Sequence, residues 1–183
     1  MFEEILVKHC SPTLAGLKTG NMFVFRYEQE NQLHRLLLDY NARLSKRGVR
    51  VTVLRKRDFS ALIYVYRPKC LKTDLLDRMA AAILTDSGYP YQDPGSCLIE
   101  LRRRLREEEG FPHEIGLFLG YPPEDVQGFI QYGGACCKCC GCWKVYGDVE
   151  KSQRCFERIR KCRQIYYKQW TMGKSVEHLT VSA

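Results

Sequence analysis

The segment Phe111–Asp148 has the sequence FPHEIGLFLGYPPEDVQGFIQYGGACCKCCGCWKVYGD and contains five of the ten cysteines of this 183-residue chain. Prolines and glycines divide the segment into short helices and loops, because proline cannot donate a backbone hydrogen bond and glycine tolerates a left-handed backbone. Longer helical patterns flank it on both sides, so we expect scaffold helices that present this segment. No complete catalytic signature occurs in the sequence.

The hydrophobic pattern outside this segment predicts an α+β fold. Residues 21–27, 49–53 and 61–66 alternate as strands, and residues 30–48, 71–87, 96–109 and those from 149 onward carry apolar residues at helical spacing. We therefore expect a small mixed or antiparallel sheet of about three strands, packed with helices, and a mostly helical second half. A chain of this length fits one domain over residues 1–183, with an α/β portion at about 1–90 and a helical, cysteine-rich portion at about 91–183.

Composition favours a cytoplasmic protein. The N-terminal sequence MFEEILVKHC is acidic and lacks a long apolar run, and the longest apolar stretches are too short to cross a bilayer. The net charge of +8 permits an anionic partner. Acidic residues interleave with the arginine-rich helix faces, which favours ordinary solvated helix faces over a nucleic-acid interface. A small-molecule or anionic ligand is the remaining candidate partner.

The cysteine run is the strongest chemical signal. Cys137-x-x-Cys140-Gly141 has the form of a metal knuckle, and the chain lacks the second such pair that a closed site needs. The remaining ligands would come from Cys155, Cys10, Cys97 or His113. Zinc or iron, including an iron–sulfur cluster, is the expected cofactor. Thiol redox chemistry, and cysteines without a role, are the alternatives. The candidate metal ligands are Cys136, Cys137, Cys139, Cys140 and Cys142.

Cys10 is the best candidate for a single nucleophile. Ser11 and Pro12 predict a short helix that begins directly after Cys10, and such a position, near Lys8 and Lys18, is expected to lower the pKa of the thiol. His113 and Glu114 could then act as base and orienting acid. Alternatively, Glu114 caps a helix and His113 only hydrogen-bonds a loop.

Aromatic residues surround the cysteine run. Tyr121, Tyr132, Trp143 and Tyr146, beside the basic residues Lys138 and Lys144, could stack against a base, a flavin or another planar ligand. The alternative is that these rings are ordinary half-buried packing with polar tips in water.

Several of these short sequences resemble a family of uncharacterised proteins found mainly in Clostridia and related anaerobic Firmicutes. The resemblance rests on Pro112-His113-Glu114 and Leu119-Gly120-Tyr121-Pro122, with HCSPTLAGLKTGN near the start and GCWKVYGD later, and runs from about Lys8 to Cys162. It implies a cytoplasmic bacterial protein of unknown function with no established catalytic residue. Candidate ligand-binding residues inside these motifs are Lys18, Tyr121, Trp143 and Lys144.

Three hypotheses about function follow. The first is a cysteine-rich metal- or redox-linked protein of anaerobic metabolism. The second is a ligand-binding or regulatory module without catalysis, in which the Gly-Tyr-Pro loop and Trp143 shape a pocket for an anionic or planar ligand. The third is a thiol enzyme that uses Cys10, His113 and Glu114.

Overall fold

A computed structural model describes residues 2–90, 92–107 and 110–182, and it confirms the α+β fold. The chain divides into two compact units: unit 1 comprises Met1–Lys69 and Lys161–Ala183, and unit 2 comprises Cys70–Arg160. The return of the C-terminal residues to unit 1 differs from the two portions predicted from sequence. The single domain over 1–183 stays a prediction.

The described elements follow one another along the chain, and the three strands of the larger sheet lie between residues 20 and 66. They are α1 (Phe2–Leu14), β1 (Gly20–Arg26), α2 (Glu30–Leu44), β2 (Arg50–Arg57), β3 (Ser60–Tyr66), α3 (Pro68–Leu75), α4 (Arg78–Asp86), α5 (Pro94–Glu107), α6 (Ile115–Phe118), α7 (Pro123–Tyr132), β4 (Cys139–Cys140), β5 (Lys144–Val145), α8 (Val149–Thr171) and α9 (Val176–Leu179).

Unit 1 is built on an antiparallel sheet with the strand order β1-β3-β2. The strands predicted at 49–53 and 61–66 are confirmed as β2 and β3, which form an antiparallel hairpin with a tight turn in which Asp58 has a φ of 45°. Alternation places Phe23, Phe25 and Ile63 in a core that α1 and α2 share. The sheet is therefore the frame of unit 1.

The predicted helix start at Ser11 is wrong. Pro12 lies inside α1, which begins at Phe2 and ends at Leu14. The first half of this helix carries Phe2, Leu6 and Val7, all buried in the core. Burial of this apolar face outweighs the backbone hydrogen bond that proline cannot make.

A buried arginine holds the end of α1. Arg67 donates from Nε to the Thr13 carbonyl and from Nη2 to the Leu14 carbonyl, both at 2.7 Å, and Nη2 also donates to the Val181 carbonyl at 2.7 Å. Carbonyls at a helix C-terminus lack partners within the helix, so the guanidinium satisfies groups that would otherwise be buried unpaired. The C-terminal residues around the short helix α9 thereby join unit 1.

Unit 2 is mainly helical. The single helix predicted over 71–87 is two helices, because the Asp77 side chain accepts hydrogen bonds from the backbone N–H groups of Met79 and Ala80 and starts α4. The helix predicted to begin at residue 96 begins at Pro94, and the Asp93 side chain caps it by accepting hydrogen bonds from the backbone N–H groups of Gly95 and Ser96. The buried side chains of these helices include Leu75, Leu84, Leu101, Leu105 and Phe118.

Candidate functional site

Unit 2 contains a cavity of about 420 Å³ with mostly apolar walls. Three separate stretches of the chain supply its lining: the loop before α6, the α6–α7 region and the residues around β5. These are the stretches that carry the Pro-His-Glu, Gly-Tyr-Pro and Cys-Trp-Lys sequences. The lining residues are Phe111, Pro112, His113, Ile115, Gly116, Tyr121, Asp125, Val126, Phe129, Trp143 and Lys144.

The loop between α6 and α7 brings Tyr121 into the cavity wall. Gly120 has a φ of 71°, a left-handed conformation that ends α6, and the prolines that follow start α7. Gly116 lets the two helices approach, because a Cβ there would lie 2.8 Å from Val126 Cγ2. As a result the Tyr121 ring stacks on Trp143 with a centroid distance of 5.0 Å and an interplanar angle of 30°.

Asp125 organises the other side of the cavity. Its Oδ2 accepts a hydrogen bond from Trp143 Nε1 at 2.7 Å, and its Oδ1 accepts from the backbone N–H groups of Tyr146 and Gly147 at 2.7 and 2.8 Å. The residue is only 2% exposed. Asp125 was not predicted from the sequence, because an acidic residue in the first turn of a helix commonly only interacts with the helix dipole.

Two polar side chains that line the cavity, those of His113 and Lys144, have hydrogen-bonding groups that are not used within the described residues. Within the described residues, the ring nitrogens of His113 make no hydrogen bond, and the ring packs edge-on against Phe129 at a centroid distance of 5.0 Å. Lys144 Nζ donates to the Gly134 carbonyl at 2.5 Å. No carboxylate in the described part of the chain forms an ion pair with Lys144. His113 and Lys144 are both exposed.

Glu114 is buried and forms an ion pair with Arg104. Its Oε1 accepts a hydrogen bond from Arg104 Nη1 at 3.3 Å, and the Arg104 guanidinium lies over the Tyr89 ring at 4.4 Å. Burial, followed by the charge of Glu114, raises the pKa of Tyr89. Glu114 thus fixes the loop that carries His113, while its role as orienting acid for that histidine stays a prediction.

The cysteine run forms a small hairpin of β4 and β5. Cys139 pairs with Val145 and Cys140 with Lys144. The structure brings Cys137 and Cys140 together, with their sulfur atoms 3.4 Å apart. Among the described residues no group of three or more histidine, cysteine, aspartate or glutamate side chains is arranged to hold a metal ion.

Among the described residues, none of the other predicted cysteine ligands joins this pair in an arrangement that could hold a metal ion. Cys136 is exposed and has a φ of 56°, and Cys139 and Cys142 are half-buried. Of the predicted remote ligands, Cys155 is half-buried, and Cys97 is buried with its thiol donating to the Pro90 carbonyl at 3.4 Å. The five-cysteine metal site therefore stays a prediction, with two of its members in contact.

Cys10 lies in unit 1 and is completely buried. The predicted lowering of its pKa is wrong: burial raises the pKa of the thiol, and the nearby charges of Lys18 and Arg163 oppose this only in part. Cys10 lies within α1, where helical N–H groups are already paired and a thiolate gains little. Lys18 is also in unit 1, whereas Tyr121, Trp143 and Lys144 line the cavity of unit 2. Catalysis by Cys10, His113 and Glu114 stays a prediction.

No described helix is long and apolar enough to span a membrane. Comparison with known proteins finds no match among curated proteins and none among solved structures. One family model matches nearly the whole chain, which confirms the predicted membership of an uncharacterised family. The chain belongs to the family described as "Protein of unknown function (DUF3793)", whose model matches residues 6–180.

Proposed function

We propose that this protein is a ligand-binding module whose unit 2 cavity takes a planar aromatic anion, such as an aromatic carboxylate. The observation that carries the proposal is the stack of Tyr121 on Trp143 in an apolar cavity that Lys144 also lines. This develops the second of the three hypotheses from sequence, the non-catalytic binding module.

The lining of the unit 2 cavity favours a ligand with a flat, apolar ring system. Small-molecule sites are concave and mostly apolar, with volumes of about 300–1,000 Å³, and the cavity of about 420 Å³ falls in that range. Tyr121, Trp143 and Phe129 offer aromatic surface, against which a flat ring can pack face to face or edge to face. A one- or two-ring aromatic ligand suits a cavity of this size and lining.

The charges favour an acidic group on the ligand. The Asp125 carboxylate already accepts three hydrogen bonds from N–H donors, so its charge is compensated within the protein. Lys144 uses one of its donors on a carbonyl and keeps the others. His113 adds a further group that can hydrogen-bond to a ligand oxygen.

The test uses the indole N–H resonances of the two tryptophans, Trp143 and Trp170. Trp170→Phe assigns the Trp143 signal, and the protein is titrated with 1-naphthoate and with neutral 1-naphthalenemethanol. We expect naphthoate to shift the Trp143 signal with saturation. In Lys144→Met, naphthoate affinity should fall about tenfold, the loss of one charged hydrogen bond, while the neutral compound changes less than about twofold.

Lys138→Met is the matched control, because Lys138 is an exposed lysine of the same hairpin that does not line the cavity. It should leave naphthoate binding unchanged. Absence of any shift of Trp143 would overturn the binding proposal. Equal affinity for both compounds, unaffected by Lys144→Met, would overturn the recognition of an anion.

The approach of Cys137 and Cys140 favours a second candidate function, metal binding at the cysteine run. Two thiolates at this spacing could hold one edge of a tetrahedral zinc or iron site. Elemental analysis of anaerobically purified protein, with a count of reactive thiols, tests it. Stoichiometric metal that is lost in Cys137→Ser would support the site, and metal-free protein with both thiols reactive would contradict it.

A further inference from the structure

The Cys137–Cys140 pair has the geometry of a dithiol that can close to a disulfide. The sulfurs are 3.4 Å apart, so they need to approach by only about 1.4 Å to reach the bonded distance. Cys140 is exposed and Cys137 half-buried. The pair is therefore accessible to a small reactant from solvent.

The hairpin explains why these two cysteines meet. Gly133, Gly134 and Cys136 all have positive φ angles, which reverse the chain after α7. The Lys138 N–H then donates to the Val145 carbonyl at 2.8 Å, and the Gly141 N–H donates to the Trp143 carbonyl at 3.0 Å. These bonds hold the backbone on both sides of the pair, so the proximity of the sulfurs is built into the loop.

We propose that Cys137 and Cys140 form a dithiol–disulfide exchange site that reduces a small-molecule disulfide. Exchange needs only two thiols within reach of each other, whereas a tetrahedral metal needs four donors. Among the described residues, Cys137 and Cys140 are the two thiols within reach that exchange needs, and no group of three metal-ligating side chains is found. The proposal does not depend on the aromatic ligand.

The reaction balances without a further reactant. The thiolate of one cysteine attacks a sulfur of the small disulfide, which forms a mixed disulfide and releases one small thiolate, which takes up a proton. The other cysteine loses its proton and attacks the protein sulfur of the mixed disulfide, which closes the Cys137–Cys140 bond and releases the second small thiolate. The small disulfide gains two electrons, and the protein dithiol loses two.

A positive charge lies beside the pair. Lys144 is the partner of Cys140 in the hairpin register, and a cation at such a position favours the thiolate that attacks a disulfide.

The test equilibrates the full-length, anaerobically purified protein with glutathione disulfide and maps the product after alkylation. Trypsin cuts after Lys138 and Lys144, so a Cys137–Cys140 bond joins the peptide that ends at Lys138 to the peptide 139–144. We expect one glutathione disulfide consumed, two glutathione molecules released and one joined peptide pair per chain.

Serine variants of four cysteines in the same hairpin identify which cysteines carry out the exchange. Cys137→Ser and Cys140→Ser should each lower the rate of joined-peptide formation by at least about tenfold, while Cys136→Ser and Cys139→Ser change it less than about twofold. These four side chains lie at the surface or are half-buried, so the variants should fold, and circular dichroism checks that they do.

Three outcomes would overturn the proposal. The first is an equal loss in all four variants, which would mean random pairing. The second is a pair that stays reduced in excess glutathione disulfide. The third is a pair that reacts only after a chelator is added, which would favour the metal site. None of these outcomes would affect the naphthoate titration, so the two proposals fail independently.

Discussion

The Asp125 carboxylate accepts a 2.7 Å hydrogen bond from the indole nitrogen of Trp143, 18 residues further along the chain. This bond joins the first turn of α7 to the hairpin of the cysteine run. Because the same carboxylate also binds the backbone N–H groups of Tyr146 and Gly147, one buried side chain sets both the orientation of the cavity tryptophan and the path of the chain after β5.

Asp125→Asn should destabilise unit 2 and release the indole of Trp143. If the asparagine oxygen keeps the two backbone donors, its NH₂ group faces the indole N–H, and two donors then oppose each other. We expect a loss of about 2 kcal/mol in the free energy of unfolding by urea and a large change of the Trp143 indole resonance. Asp86→Asn, at an exposed aspartate on α4, is the control and should be neutral. An unchanged indole signal in Asp125→Asn would contradict this role.

Gly128→Ala should weaken the packing of α7 against Tyr146. A Cβ at position 128 would lie 2.3 Å from Tyr146 Cγ, which no real contact allows. Displacement of the ring should cost roughly 2 kcal/mol in the free energy of unfolding, measured with urea. Gly110→Ala is the control, because nothing described lies within 4 Å of a Cβ there. Equal stability of the two variants would show that Tyr146 moves without cost.

Glu100→Gln should lower stability at neutral pH but not in strong acid. Hydrogen bonds from Arg103, with a further contribution from Arg104, outweigh burial and lower the pKa of Glu100 from 4.5 to about 2. Since the folded pKa is the lower one, the stabilisation is present above pH 4.5 and is lost as the pH falls towards 2.

The measurement is urea unfolding of wild type and Glu100→Gln at several pH values. The difference should be about 1 kcal/mol at pH 7 and should vanish near pH 2. Glu150→Gln removes a fully solvated helix pair, with Glu150 85% exposed, and should have almost no effect at any pH. A pH-independent difference for Glu100→Gln would indicate a packing effect instead of a charge effect.

Cys10 should resist alkylation in the native protein. It is completely buried and its pKa is raised, so modification requires opening of unit 1. Iodoacetamide labelling followed by peptide mapping should show Cys10 reacting at least roughly a hundredfold more slowly than Cys136 and Cys140. In urea the three rates should converge. Rapid labelling of Cys10 by iodoacetamide in the native protein would contradict this prediction and support Cys10 as a nucleophile.

Local pattern was enough to predict most elements. Alternation predicted β1 and β3, and the apolar stripe predicted α2, which gives way to a short 3₁₀ turn before Gly48, whose φ is 76°. These predictions succeed because the periodicity of burial is recorded in neighbouring residues. The break between α3 and α4 was missed, since an aspartate within a helical stripe can cap a new helix or simply face solvent.

The candidate site was only partly predictable. Tyr121, Trp143 and Lys144 were predicted as ligand-binding residues, and they line one cavity. Asp125 was missed because its three donors come from residues 143–147, a contact that no local pattern records. Cys10 was placed at a helix start because proline usually marks the first turn, whereas core packing retained Pro12 within α1.

The amino-acid sequence by itself determined the α+β class, the α2 and β2–β3 elements and the family, because these depend on periodicity and on motifs within short stretches. Tertiary structure decided which residues meet: Asp125 with Trp143, Cys137 with Cys140, and Arg67 with the end of α1. The reason is physical. Hydrogen bonding and burial act between groups that are close in space, and the free energy of those contacts depends on neighbours that lie far apart in the chain.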